Sequence, residues 1–82
     1  MNKIAYQPKA LKQLRKIPDR KLIYRKIEEL TNMPECANVK KLSNHQYGYR
    51  LRVGNYRVLF NFDGIIHIIS IEEVKKRDER TY

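Results

Sequence analysis

Arg50, Arg52 and Arg57 stand close together in the run Tyr49-Arg50-Leu51-Arg52-Val53-Gly54-Asn55-Tyr56-Arg57-Val58-Leu59-Phe60. A guanidinium is a planar fork of N–H donors that matches phosphate oxygens and keeps its proton. Three of them side by side hold and stabilise the charge of a phosphodiester, but they are poor general bases. Gly54-Asn55 decides whether they lie side by side, because it is a two-residue turn signal between two alternating runs. That turn sets Val53 opposite Tyr56, Arg52 opposite Arg57, Leu51 opposite Val58 and Tyr49 opposite Phe60. Strand side chains alternate between faces. Tyr49, Leu51, Val53, Tyr56, Val58 and Phe60 therefore share an apolar face, and Arg50, Arg52, Arg57 and Leu59 share the other. Like charges directly opposed cost roughly 0.2–1 kcal/mol per pair, so stability alone does not favour Arg52 facing Arg57. A polyanion does.

Further cations flank the hairpin: Lys40 and Lys41 before it, and Lys76, Arg77 and Arg80 in a charged tail that ends in Tyr82. A tyrosine after a basic run has no evident packing role, and an aromatic ring that holds an unstacked base contributes about 1–3 kcal/mol. Across 82 residues, 18 Lys and Arg against nine Asp and Glu give a net charge of +9. Surfaces designed for solubility carry magnitudes of about 2–8, so this excess points to nucleic acid, an anionic membrane or an acidic protein. Cys36 is alone, which excludes an internal disulfide and a Cys-rich metal site; it reads as an inert thiol. No zinc spacing, phosphate-binding glycine loop or dinucleotide fingerprint is present, and no cofactor is expected. The longest apolar run, Ile65 to Ile71, is broken by His67 and Ser70 and is too short for a membrane span. No signal peptide is visible at the N-terminus, so the chain reads as cytoplasmic.

The elements that must position these groups fit one small domain, 1–82, of the α+β class. Asn2–Tyr6 reads as a first strand. Pro8 suits the first turn of a helix carrying Leu11, Leu14 and Ile17. Pro18 breaks that helix, and Asp19 is placed to cap a second one with an Ile23, Ile27, Leu30 stripe. The stretch from Glu35 to Gln46 reads as a loop, with Lys40-Lys41-Leu42 as an extended approach to the sheet. The arginine hairpin follows. Asp63-Gly64 is a second turn signal, and Ile65–Val74 completes a three-stranded antiparallel meander. A two-residue turn there puts Phe62 opposite Ile65, Ser70 beside Arg57 and His67 beside Phe60 as a buried structural histidine; a longer turn alters that register. The helical hairpin then packs on one face of a twisted sheet, and the basic face stays open and concave. Glu72 and Glu73 read as partners for nearby arginines rather than as acid or base. His45, in the loop, has no visible partner.

The central block from Gly48 to Phe60, with Lys41-Leu42 before it, Ala10-Leu11-Lys12-Gln13-Leu14 near the start and Lys76-Arg77-Asp78-Glu79-Arg80-Thr81-Tyr82 at the end, resembles the RelE/ParE superfamily of bacterial toxins. The resemblance spans nearly the whole chain and implies a toxin of a type II toxin–antitoxin system. In its RelE-like branch it implies a metal-independent endoribonuclease that cleaves mRNA in the ribosomal A site. The RNA 2′-OH attacks, leaving 2′,3′-cyclic phosphate and 5′-OH ends. On that pattern Arg57 stabilises phosphate charge, Arg50 and Arg52 match a basic pair on the preceding strand, Arg77 protonates the leaving oxygen and Tyr82 stacks on the nucleotide. Lys40, Lys41, Lys76 and Arg80 serve as substrate or rRNA contacts. Two departures stand out: the best-known RelE-like toxins carry lysines where this chain has Arg50 and Arg52, and the tail is one residue tighter, so Arg80 also fits the role of Arg77.

The partners so implied are a cognate antitoxin with an acidic or amphipathic segment and a ribosome holding mRNA; no membrane is involved. The ParE-like branch implies the same fold as an inhibitor of DNA gyrase without nuclease chemistry. A toxin relic kept as a DNA-binding co-repressor is a third reading.

Overall fold

The computed structural model describes residues 2–76. Strand β1 (Lys3–Tyr6) leads into helix α1 (Pro8–Arg15), where Pro8 occupies the first turn as its missing N–H allows. Helix α2 (Arg20–Glu28) follows and tightens into a 3-10 turn over Glu29–Asn32. Asp19 does stand at the start of α2, but its side chain makes no capping hydrogen bond; its carbonyl oxygen accepts from Leu22 and Ile23 instead. Four strands complete the fold: β2 (Val39–Lys41), β3 (Tyr49–Val53), β4 (Tyr56–Asp63) and β5 (Ile68–Lys76). They form one mixed sheet in the order β1-β5-β4-β3-β2, with β1 parallel to β5 and the other neighbours antiparallel.

The α+β architecture agrees with the sequence reading, with one strand more than expected. The Lys40-Lys41 approach is a paired edge strand, with Lys40 opposite Arg50 and Lys41 opposite Tyr49. Lysine-rich edges discourage pairing with other chains. One face of the sheet is covered. Ala10, Leu14, Ile17, Ile23, Ile27 and Leu30 from the helical segment meet Leu51, Val53, Val58, Phe60, Ile69, Ile71 and Val74 in a single buried cluster. Asn2 ties the start of β1 to this layer, its Nδ2 donating to the carbonyls of Thr31 (3.2 Å) and Met33 (3.0 Å).

The β4–β5 connection corrects the expected register. Asp63 Oδ1 accepts from the backbone N–H of Ile65 (2.9 Å) and Ile66 (3.1 Å), an Asx turn that lengthens the loop. Pairing therefore starts at Asp63 opposite Ile68, not at Phe62 opposite Ile65. His67 lies at the end of this loop with φ 57° and is exposed, so it is not the buried histidine its apolar neighbours suggested. Ser70 faces Asn61 rather than Arg57. A second irregularity follows. Leu59 pairs with Glu73 and Phe60 with Ile71, leaving Glu72 as the extra residue of a β-bulge.

Tyr6 joins the two layers, its ring 5.5 Å from that of Tyr24. Burial, followed by the charges of Glu28 and Tyr24, pushes its phenol up to about 12. A phenol whose folded pKa lies above the unfolded value of 10.0 contributes stability that is complete below pH 10 and is lost as pH rises toward 12. Tyr6→Phe should therefore reduce the alkaline loss of stability between pH 10 and 12, measured as the pH dependence of the urea midpoint. An unchanged slope would show that Tyr6 does not carry it.

Candidate phosphate-binding face

The hairpin register is the one that Gly54-Asn55 predicts, from Val53 opposite Tyr56 to Tyr49 opposite Phe60. Gly54 has φ 54° and Asn55 is not in the positive-φ region, the pattern of a type II′ turn, whose twist matches that of the flanking strands. Arg52 therefore stands directly across from Arg57, and Arg50 across from Leu59, on the face that carries no helix. Tyr49, Leu51, Val53, Tyr56, Val58 and Phe60 point to the other face, with the Tyr49 and Phe60 rings stacked at 5.5 Å.

Arg50, Arg52, Gly54, Tyr56 and Arg57 line a small depression of about 60 Å³ near the hairpin tip. None of the three arginines takes part in an ion pair among the described residues. Arg52 and Arg57 are exposed, whereas Arg50 is half-buried, and its Nε is buried without a hydrogen-bond partner among the described residues. An unsatisfied buried donor costs about 1–3 kcal/mol.

Lys40 joins this face as the neighbour of Arg50 on β2. Lys41 pairs with Tyr49 and Lys76 with Tyr56, so both belong to the opposite side of the sheet. Arg77, Arg80 and Tyr82 lie outside the described residues. The bulge at Glu72 adds a cation that the sequence reading missed. Together with the longer loop, it brings Lys75 opposite Arg57, where the sequence suggested Ser70. The signal was present in the spacing of Ile69, Ile71 and Val74, which keeps one apolar face only if the strand slips by one residue.

The two glutamates avoid the arginines. Glu73 is buried, and its Oε1 lies 3.4 Å from Lys9 Nζ and 3.6 Å from Lys75 Nζ. Glu72 Oε2 accepts from Ser70 Oγ (2.7 Å) and Asn61 Nδ2 (3.4 Å), while Gln7 Nε2 donates to Ser70 Oγ (2.8 Å). Asn61 Oδ1 also accepts from the Gly48 N–H at 2.8 Å, anchoring the loop before β3. The open face thus has a cationic end and a separate, internally satisfied polar end. His45 is engaged locally, its Nδ1 accepting from the Tyr47 N–H. Cys36 donates to the Glu29 carbonyl, and burial followed by Glu29 raises its thiol pKa, which suppresses the thiolate. Among the described residues no cluster of three His, Cys, Asp or Glu is placed to hold a metal ion, and no helix is long and apolar enough to cross a membrane.

The sequence profile of the ParE toxin of type II toxin–antitoxin systems, parDE, matches residues 4–80. No curated protein matches the chain by sequence. The isolated RelE toxin of E. coli superimposes with a TM-score of 0.80 at 19% identity, covering 99% of this chain and 89% of that one. The archaeal RelE–RelB complex of Pyrococcus horikoshii gives 0.78 at 24% identity, covering 95% and 97%. The RelB–RelE antitoxin–toxin complex of Methanococcus jannaschii gives 0.71 at 27% identity, covering 88% of each chain.

If the arginines are held against one another for a ligand, removing one should not weaken the fold. Arg57→Ala is expected to leave stability unchanged or raise it by up to about 1 kcal/mol in urea denaturation. A loss larger than that would make Arg57 a structural residue.

Proposed function

Because the chain belongs to the ParE toxin family of type II toxin–antitoxin systems, within the RelE/ParE superfamily, we propose that this toxin arrests translation by cutting mRNA in the ribosomal A site. The observation that carries the reading is the arginine triad: Arg52 opposed to Arg57 and Arg50 with an orphan Nε, none neutralised by a carboxylate among the described residues. The ribose 2′ oxygen attacks the adjacent phosphorus, the P–O5′ bond breaks, and 2′,3′-cyclic phosphate and 5′-OH ends result. Charge grows on the phosphate as this happens, and a preorganised donor contributes about 3–4 kcal/mol to such a step. Arg57, Arg50 and Arg52 supply the donors. Lys40, with Lys41 and Lys76 from the reverse side, contacts the nucleic-acid backbone. Arg77 or Arg80 adds a cation at the leaving oxygen, and Tyr82 stacks on the base. The antitoxin neutralises this face with an acidic or amphipathic segment. The toxin acts in the cytoplasm, where ribosomes are.

A second reading, inhibition of DNA gyrase, is favoured by the match to the ParE profile and by the lack of a general base among three guanidiniums. Two assays separate them. Purified protein added to programmed ribosomes should yield A-site cuts with 2′,3′-cyclic phosphate ends, and Arg57→Ala should lower the rate by about 10²–10³-fold. Gyrase supercoiling should be unaffected. Intact mRNA together with blocked supercoiling would replace the first reading with the second.

A further inference from the structure

We propose that Lys75, oriented by the buried carboxylate of Glu73, donates the proton to the leaving 5′ oxygen; this rests on the cleavage reading above. A guanidinium in a protein does not give up its proton, so the arginines stabilise charge without supplying an acid. An ammonium does both. Lys75 faces Arg57 directly across the β4–β5 ladder, which sets their Cβ atoms about 4.5–5.5 Å apart and puts Lys75 on the same face as the Arg52–Arg57 pair.

What distinguishes Lys75 from Lys40 is the way it is held. The Glu73 side chain is only 10% exposed, although it lies on the face without helices. Its Oε1 meets Lys75 Nζ at 3.6 Å and, from α1, Lys9 Nζ at 3.4 Å. Lys40 makes no ion pair among the described residues. Helix α1 reaches this edge because β1 ends at Tyr6 and Gln13 Oε1 then accepts the Val74 N–H at 2.6 Å. Lys9 is thereby brought over the strand edge to share the carboxylate. Glu73 is a positioning residue, and Lys75 is the group that meets the substrate.

The step balances without a co-reactant. The 2′ oxygen bonds to phosphorus and its proton passes to water. The P–O5′ bond breaks, and an Nζ proton of Lys75 moves to the 5′ oxygen. The amine then regains a proton from water.

The test uses the full chain on programmed ribosomes with two mRNAs, one normal and one with sulfur replacing the scissile 5′ oxygen, a leaving group that needs no proton. Lys75→Arg keeps the charge and removes the acid. It should cut normal mRNA about 10²–10⁴-fold more slowly than wild type and recover near wild-type rates on the sulfur substrate. Glu73→Gln should show a smaller loss with the same rescue, whereas Arg57→Ala should be slow on both. A Lys75→Arg protein that cuts normal mRNA at the wild-type rate, or that is equally slow on both substrates, overturns the assignment while leaving the cleavage reading intact. Wild-type protein that leaves both mRNAs whole overturns both.

Discussion

Strand β4 is paired on both sides, and a one-residue slip on either side would exchange its core residues for the residues of the open face. Everything else in the molecule depends on how that slip is prevented. On one side the type II′ turn at Gly54-Asn55 leaves Arg52 no partner except Arg57. On the other, the Asp63 carboxylate fixes the loop and the bulge at Glu72 resets the phase once. The apolar alternation of β4, with Val58 and Phe60 fully buried, penalises any other arrangement. Hydrophobic burial on one face thereby forces like charges together on the other.

The open face shows what a small chain does with a sheet that only one layer of helices covers. Leu59 points to that side and is still only 5% exposed, with Arg50 and Glu73 as its cross-strand neighbours and no share in the main core cluster. Long charged side chains bury apolar surface with their stems while their heads stay in water. Arg50 fits this description, and its partial burial is what strands its Nε. The same packing that shields Leu59 therefore leaves one guanidinium nitrogen without a partner among the described residues.

Much of this was legible in the sequence. The hairpin register followed from Gly54-Asn55 and strict alternation, because a two-residue turn admits one pairing. Pro8, Pro18 and the Ile23, Ile27, Leu30 stripe marked the helices. The register of the last strand was misread because a side chain competes for backbone groups. Asp63-Gly64 resembles a tight turn, but the Asp63 carboxylate captures two N–H groups and lengthens the loop, which moves His67 from an expected core position to an exposed one. The bulge at Glu72 then altered the neighbour of Arg57. Strand β2 read only as an extended approach to the sheet because Val39–Lys41 is too short and too polar to show alternation; it is held by its pairing to β3.

The site also sets a limit on the fold that carries it. Stability of about 0.05–0.15 kcal/mol per residue leaves a chain of this length only about 4–12 kcal/mol. An orphan donor at about 1–3 kcal/mol and an opposed arginine pair at about 0.2–1 kcal/mol are then appreciable fractions of the whole. Both costs fall on the free protein, and anionic oxygens at the face would offset the repulsion between Arg52 and Arg57. A ligand that binds only the folded state adds stability by mass action, so on the proposed reading the phosphates of RNA and the acidic groups of an antitoxin compete for the same cations. Inhibition then needs no change of fold. On that reading a partner need only present acidic groups to Arg50, Arg52 and Arg57, because the unpaired charge that would suit them to a substrate would equally suit them to an inhibitor.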